Sequence, residues 1–412
     1  MTYIPRLVDG VLAELFESFP AVMLLGARGT GKTTTALRHA RTLVRLDSPA
    51  ESSIFESDPD AALRNLDEPV LLDEWQVVPS VLGAVKRSVD GHFTPARFLL
   101  TGSASAPLEV TPWPGTGRIV NVVMTGLSVR ERLGDIDSPA FVDRIAAGTL
   151  PRLGRRDDTE DIAGYLELAL QGGFPEALTF PERDRRRWLG GYVDDVVHRD
   201  AKAADRPRDP NRLRRYLEAY SLVSAGLATD ATLLRAAGID RRTGLAYESL
   251  LRRLFLVESV PAWRTNRLKR LVVTPKRMLV DPSLFTGVLG VLTADVRRDG
   301  DLLGRVLETF VAAQLRAESE VSDLRPLVHH LRQSDGRREI DFVVELRGGE
   351  LIAIEVKSDA APRPDAARHL VWLRDSLGDR FVAGLVLHSG QWTFEVAERI
   401  VATPISSLWR SD

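Results

Sequence analysis

Residues 26–33, Gly-Ala-Arg-Gly-Thr-Gly-Lys-Thr, match G-x-x-x-x-G-K-[ST] without a mismatch. They follow an apolar run and open a helix-compatible stretch, the two contexts a phosphate-binding loop requires. Gly26, Gly29 and Gly31 let the backbone wrap closely, so that amide N–H groups around Ala27, Arg28, Thr30 and Thr34 and a helix N-terminus face an anion. Lys32 is placed to neutralise the β and γ phosphates, and Thr33 to set its hydroxyl on Mg²⁺. Forty residues after Thr33, the apolar run Val70-Leu71-Leu72 ends in Asp73-Glu74. Asp73 is the expected magnesium ligand, acting through the water shell, and Glu74 the group that orients or polarises an attacking water. Thr101 and Ser103, ending the next apolar run, are candidate sensors of the γ phosphate. Arg118 and Arg130 are candidates for a charge-stabilising arginine finger, within the chain or across a subunit contact. A solvated surface arginine is the alternative in a chain that holds 49 of them. The chain has no Asn-Lys-x-Asp element, which favours ATP over GTP.

A second set of chemically capable residues lies near the carboxyl end. Residues 338–345, Arg-Glu-Ile-Asp-Phe-Val-Val-Glu, read as a strand, and residues 351–357, Leu-Ile-Ala-Ile-Glu-Val-Lys, as another after a turn at Gly348-Gly349. Alternation puts Glu339 with Asp341 on one face and Glu355 with Lys357 on one face. Antiparallel pairing through the turn would bring the two together. An Asp followed 14 residues later by Glu-x-Lys has the layout of a metal-dependent phosphodiesterase site. Asp341 and Glu355 would hold Mg²⁺ or Mn²⁺, and Lys357 would position water or offset charge on phosphate. Glu308, on the preceding helix, adds a further acid. A hairpin with solvated cross-strand Glu–Lys pairs is the competing reading. Lysine is scarce, with six among 55 basic residues, at 32, 86, 202, 269, 276 and 357. Ammonium and guanidinium differ in size and hydration, so each lysine is an informative choice.

The elements that must carry these residues alternate in the amino-terminal third. Apolar runs at 21–25, 42–46, 69–72 and 97–100 end in polar residues, and helical patterns lie at 58–65 and 80–89, with another after the phosphate loop to about residue 41. That alternation predicts a mostly parallel sheet in an α/β layer arrangement, with ligands at the carboxyl ends of its strands. From 127 to about 258 the patterns are mainly helical. A polar segment at 181–215 carries 11 basic and seven acidic residues with Pro207 and Pro210, and reads as a connector with a solvated face. Helices follow at 211–223, 230–237 and 241–257, then strands within 264–280. Three helices and a hairpin suggest a winged helix with Arg241, Arg242 and Tyr247 on its recognition helix; a helical linker is the alternative. A second α/β unit then opens with a helix at 302–318 and runs through strands at 339–346 and 351–356, a helix at 366–376 and a strand at 381–387.

At 412 residues and roughly 150 per domain, the chain has length for two or three domains. The absence of cysteine excludes a disulfide framework, a cysteine-ligated zinc or iron–sulfur centre and a thiol nucleophile. A formal net charge of -2 rules out a global basic field, so any nucleic-acid surface must be local. The first 19 residues lack the layout of a secretory signal, and no apolar run approaches the roughly 20 residues that span a bilayer. A cytoplasmic location without a membrane is expected.

Taken in order, residues 26–33, Leu71-Leu72-Asp73-Glu74-Trp75-Gln76 and Leu99-Leu100-Thr101-Gly102-Ser103, then Gly172-Gly173-Phe174-Pro175-Glu176, Arg199-Asp200, Thr274-Pro275-Lys276, Asp281 and Pro404-Ile405-Ser406, resemble a group of bacterial and archaeal AAA-type ATPases. In that group the ATPase is fused to an uncharacterised carboxy-terminal domain similar to the PD-(D/E)xK nuclease fold. The resemblance implies an AAA-type P-loop ATPase at 1–135, a helical connector at 136–210, a winged-helix-like domain at 211–295 and a restriction-endonuclease-like α/β domain at 296–412. ATP and Mg²⁺ are the expected cofactors, with Mn²⁺ an option at the second site, and DNA is the expected partner, with a homo-oligomer or protein partner as a further one. It supports Arg118, within Gly117-Arg118, as the finger and maps the nuclease acids to Glu308, Asp341 and Glu355 with Lys357 beside them. Ile340 stands where the name-giving proline would be, and the motif says nothing about turnover. ATP hydrolysis coupled to a nuclease-like module is one expectation; an ATP-operated switch whose module is catalytically inactive is the other.

Overall fold

The computed structural model describes residues 3–102, 117–203, 209–264, 274–333 and 337–410. Ser103 and most of the strand region expected within 264–280 lie outside the described residues. The chain divides into two compact units, Met1–Leu127 with Leu251–Leu256, and Ser128–Leu250 with Val257–Asp412.

The first unit is built on five strands: β1 (Ala21–Leu25), β2 (Thr42–Arg45), β3 (Val70–Asp73), β4 (Phe98–Gly102) and β5 (Ile119–Val123). They pair in parallel in the order β2-β3-β4-β1-β5. The central strands are continuous apolar runs because both faces are covered. Ala21, Met23, Val70, Leu72, Phe98 and Leu100 form one core with Val81, Val85 and Val89 of the helix Val81–Gly91. Val22, Leu24, Leu71 and Leu99 are fully buried as well. Burying each aliphatic side chain contributes about 1.5–3 kcal/mol, so a charge at Val85 would undo this face. The helix after the phosphate loop is short, Lys32–Ala36, although a run to about residue 41 is expected. Threonines at 33, 34 and 35 are β-branched and weak helix formers, and three-residue turns at Arg38 and His39 end the element. The sequence reading does not include β5 or the helix Leu7–Ser18, which contacts β1.

Parallel pairing decides where the motifs go. Leu25 lies beside Gly102 and Leu72 beside Leu100, so the phosphate loop, Asp73 and Thr101 all leave the same edge of the sheet.

The second unit begins with helices, among them Ile162–Gln171, Glu182–Ala203, Pro210–Leu222, Asp230–Ala237 and Arg241–Arg253. Asp209 and Thr229 cap two of them by accepting from backbone N–H groups. Strands β7 (Val257–Val260) and β8 (Lys276–Leu279) pair antiparallel. Arg241 and Arg242 are exposed, but Tyr247 is buried, its ring 5.9 Å from that of Tyr216. Tyr247 is therefore a packing residue, which corrects its expected placement on a recognition surface. The long helix Gly300–Val321 then leads into a seven-stranded sheet. Its members are β6 (Gly154–Arg155), β9 (Leu327–Arg332), β10 (Glu339–Glu345), β11 (Leu351–Val356), β12 (Phe381–His388), β13 (Trp392–Ala397) and β14 (Ile400–Pro404), in the order β6-β13-β14-β12-β11-β10-β9. The expected antiparallel pairing of β10 with β11 is present, with Phe342 opposite Ile354 and Glu345 opposite Leu351. β11, β12 and β14 are parallel. Ile340, Val343, Ala353, Phe381 and Ile400 form a core with Leu370 and Leu373 of the helix Arg368–Leu377.

Candidate functional site

The loop at 26–33 is closed on itself and anchored from outside. A Cβ on Gly26 would meet the carbonyl oxygen of Met124 at 2.1 Å, so this loop position takes no side chain. Gly31 stands immediately before the helix Lys32–Ala36 at φ 94, in the left-handed region that favours glycine. The chain turns there, and the Gly31 carbonyl accepts the Thr35 N–H at 2.9 Å to start the helix. Thr30 Oγ1 donates to the Ala27 carbonyl at 2.9 Å. Lys32 is buried, and its Nζ donates to the carbonyls of Gly26 at 3.0 Å and Ala27 at 2.7 Å. Burial pushes the Lys32 ammonium down to about 8, while Glu74 and Asp73 pull the other way. The ammonium is held by two neutral carbonyl oxygens.

Asp73 is the meeting point of three motifs. Thr33 Oγ1 donates to Asp73 Oδ1 at 2.8 Å, and Thr101 Oγ1 donates to the same oxygen. A hydroxyl and a carboxylate in contact beside the lysine have the chemistry of a magnesium pair. Glu74 follows in the left-handed region at φ 55, and its carboxylate, like that of Asp73, acts on the Lys32 ammonium. Gln76 Nε2 donates to Glu74 Oε2. Gly102 makes this turn possible: a Cβ there would lie 2.5 Å from Trp75 Nε1 and 2.9 Å from Gln76 Oε1. Gly29 is exposed and Arg28 half-buried in the loop, and Thr34 is exposed on the helix that follows.

Two residues of this neighbourhood are not marked by the loop motif. Arg6, 3% exposed, donates from Nη1 to the Thr30 carbonyl at 2.9 Å and from Nη2 to the Thr125 carbonyl at 2.8 Å. It ties the phosphate loop to the chain leaving β5. Gln76 is the other, and its signal was its position two residues beyond Glu74.

The arginine candidates separate. Arg118 precedes β5, whose first residue Ile119 pairs with Ala21, and its Nε lies 2.8 Å from Asp90 Oδ1. Five residues of strand, about 16 Å, divide it from the loop edge, so it does not serve the loop of its own chain. Arg130 belongs to the second unit and is paired with Glu318 at 3.0 Å, both side chains 3% exposed. It also donates to the carbonyls of Asp135 and Ser138. A guanidinium so buried and committed is no finger, which corrects that expectation.

In the second unit, Asp341, Glu355, Lys357 and Glu308 come close, but a residue outside the expected set joins them. Lys276 Nζ, on β8 and 1% exposed, pairs with Glu308 and lies 3.3 Å from Asp341 Oδ1. Asp341 Oδ2 accepts from Val356 N at 2.9 Å, and Lys357 Nζ donates to Glu355 Oε1 at 2.7 Å. Burial, then Asp341, pushes Glu308 and Glu355 up to about 8. Burial disfavours the Lys276 and Lys357 ammonium groups, but the surrounding carboxylates raise both above the ordinary lysine value. Among the described residues no group of three or more His, Asp or Glu side chains is arranged to hold a metal ion. The donor set therefore does not fit the divalent ion expected at Glu308, Asp341 and Glu355. Lys276 was readable only as one of six lysines, within Thr274-Pro275-Lys276.

Among the described residues no helix is long and apolar enough to cross a membrane. Residues 303–408 match a family described as Domain of unknown function (DUF4143), and residues 162–295 one described as Domain of unknown function (DUF8612). Over 403 residues the chain is 27% identical to the uncharacterized proteins Rv2008c of Mycobacterium tuberculosis and Mb2031c of Mycobacterium bovis, covering 96% of this chain and 82% of each relative. It is also similar to the Walker-type ATPase PABY2304 of Pyrococcus abyssi, at 12% identity and a TM-score of 0.41, over 68% of this chain and 94% of that one. Residues 18–133 match a family described as AAA domain. That match spans the phosphate loop, Asp73 and the parallel sheet, and supports a P-loop domain of AAA type at the amino-terminal end of this chain.

Proposed function

We propose that the chain binds ATP with Mg²⁺ at residues 26–34, hydrolyses it, and uses the change of nucleotide state to set a DNA-associated carboxy-terminal module. The observation that carries the hydrolytic reading is the 2.8 Å bond from Thr33 Oγ1 to Asp73 Oδ1 beside buried Lys32. Thr33 and Asp73 would hold Mg²⁺, which when bound offsets charge on the phosphates. Lys32 leaves its loop carbonyls for the β and γ phosphates. Glu74, steadied by Gln76, orients the attacking water and takes its proton as the bond from the γ phosphorus to the bridging oxygen breaks. Thr101, bonded to Asp73, reports on the γ phosphate. Arg118 acts on the site of a second copy. DNA is the proposed partner because Arg241 and Arg242 are exposed and because Asp341, Glu355 and Lys357 follow a nuclease order.

The test follows phosphate release and strand scission together, with Mg²⁺ or Mn²⁺, on duplex, single-stranded and branched DNA. Lys32→Ala should lower ATP turnover at least about 100-fold; unchanged turnover sinks the reading. A second reading makes the carboxy-terminal module a docking element that cuts nothing. The pairing of Lys276 with Glu308 and Asp341 favours it, and its expected outcome is ATP turnover without scission in any condition.

A further inference from the structure

We infer that Lys276 is the resident cation of the carboxy-terminal carboxylate cluster, and that the wild-type site takes no divalent metal. This rests on the reading of the module as non-cutting. The cluster joins four elements: Lys276 on β8, Glu308 on the helix Gly300–Val321, Asp341 on β10 and Glu355 on β11. The Lys276 ammonium bridges Glu308 Oε1 and Asp341 Oδ1 and is 1% exposed. The second oxygen of Asp341 is taken by the Val356 N–H, and Glu355 Oε1 by Lys357. What remain are Glu355 Oε2, a buried oxygen without a hydrogen-bond partner, and the second oxygen of Glu308, whose Oε1 is the one that meets Lys276.

What stands against a magnesium or manganese ion is the ammonium already between these carboxylates. Mg²⁺ completes a near-octahedral set of six oxygens at about 2.0–2.1 Å with waters beside one or two carboxylates, but an entering dication would have to expel a buried ammonium from between its two counter-ions. A lone acid pair buried without compensation is costly. Here the compensation is covalently attached, and so is present at every metal concentration. Lysine suits the position because a compact ammonium fits between two carboxylates on different elements, whereas a planar guanidinium needs a fork-shaped partner. Without the ammonium, both oxygens of Glu308, Asp341 Oδ1 and Glu355 Oε2 become four unengaged carboxylate oxygens from three elements, which is a cation site.

The test uses the full chain without nucleotide and measures Mn²⁺ binding by electron paramagnetic resonance. Wild type and Asp341→Asn should bind identically, and an ion in the wild type that Asp341→Asn loses overturns the assignment. Lys276→Met keeps the length of the side chain and removes its charge. It should gain a Mn²⁺ site at least about 100-fold tighter than any the wild type shows in this unit, lost again on adding Asp341→Asn. A folded Lys276→Met without that gain also overturns it. If Lys276→Met does not fold, adding Glu308→Gln should restore thermal stability, because a counter-ion is dispensable once its partner is neutral; no recovery counts against the assignment. Strand scission by the wild type would defeat the non-cutting reading itself. A wild type that neither cuts nor takes Mn²⁺, beside a folded Lys276→Met that stays metal-free, defeats only the role given to Lys276.

Discussion

Thr33 Oγ1 donates to Asp73 Oδ1 at 2.8 Å across 40 residues of chain. The bond joins the helix after the phosphate loop to the end of β3, and it exists because β1 and β3 both flank β4 in parallel. Asp73→Asn removes the charge that, on the proposed function, would hold Mg²⁺, while keeping the shape. It should reduce ATP turnover about 100-fold or more and shift the Mg²⁺ concentration for half-maximal activity upward; a magnesium titration of turnover checks both.

Glu74 and Gln76 form a unit in which one supplies the carboxylate and the other its orientation. Glu74→Gln should leave ATP affinity within about threefold and slow hydrolysis by about 10²–10⁴. Gln76→Ala should lower kcat less than Glu74→Gln does, leave KM nearly unmoved, and add almost nothing in the Glu74→Gln background. Additive losses in steady-state kinetics would mean that Gln76 acts independently.

Arg6 binds two carbonyls with one buried guanidinium. Arg6→Ala leaves the Thr30 and Thr125 oxygens without these donors and should cost about 1–3 kcal/mol of stability. Because one of those oxygens belongs to the phosphate loop, KM for ATP should rise as well. Urea unfolding with and without nucleotide separates the two effects: ATP should stabilise the variant less than the wild type and so widen the gap between them.

Arg118 sits at the strand edge away from its own phosphate loop. If it serves a second copy, Arg118→Ala and Lys32→Ala will each be inactive alone, and a mixture will recover up to about a quarter of wild-type turnover per dimeric site pair by simple random pairing. Recovery that depends on total protein concentration is the expected signature, read by phosphate release across a dilution series. No recovery at any ratio removes the intersubunit role.

His388 is fully buried, and its Nδ1 accepts from Gly390 N at 3.0 Å. Burial pushes its pKa down to about 4. The folded state keeps it neutral while the unfolded chain takes up a proton below about 6.5. Its contribution to stability is therefore complete above about 6.5 and is lost as pH falls toward 4, by up to about 3 kcal/mol. His388→Gln, which keeps an acceptor, should flatten the fall of Tm between pH 6.5 and 4 compared with wild type. A Tm profile of unchanged slope would place the acid sensitivity elsewhere.

Local chemistry made the first site legible without coordinates. Eight consecutive loop residues, an apolar strand ending in two acids and another ending in Thr101 are each written within a few positions, and parallel strands bring their carboxyl ends to one edge. Asp341, Glu355 and Lys357 were readable for the same reason, as the alternation of two adjoining strands. Periodicity did not reveal what surrounds them. Lys276 reaches Asp341 across 65 residues, and Arg130 reaches Glu318 across 188. Both are buried ion pairs whose partners are chosen by how separate elements pack, and a charged residue looks the same in sequence whether it will be solvated or enclosed. The sequence by itself determined the phosphate loop, the acidic end of β3 and the alternation of strands and helices that makes a parallel sheet. Only the tertiary structure decided that Arg130 is buried, that Arg118 faces away from its own loop, and that a lysine occupies the centre of the carboxylate cluster, because desolvation and non-local pairing exist only once the chain has folded.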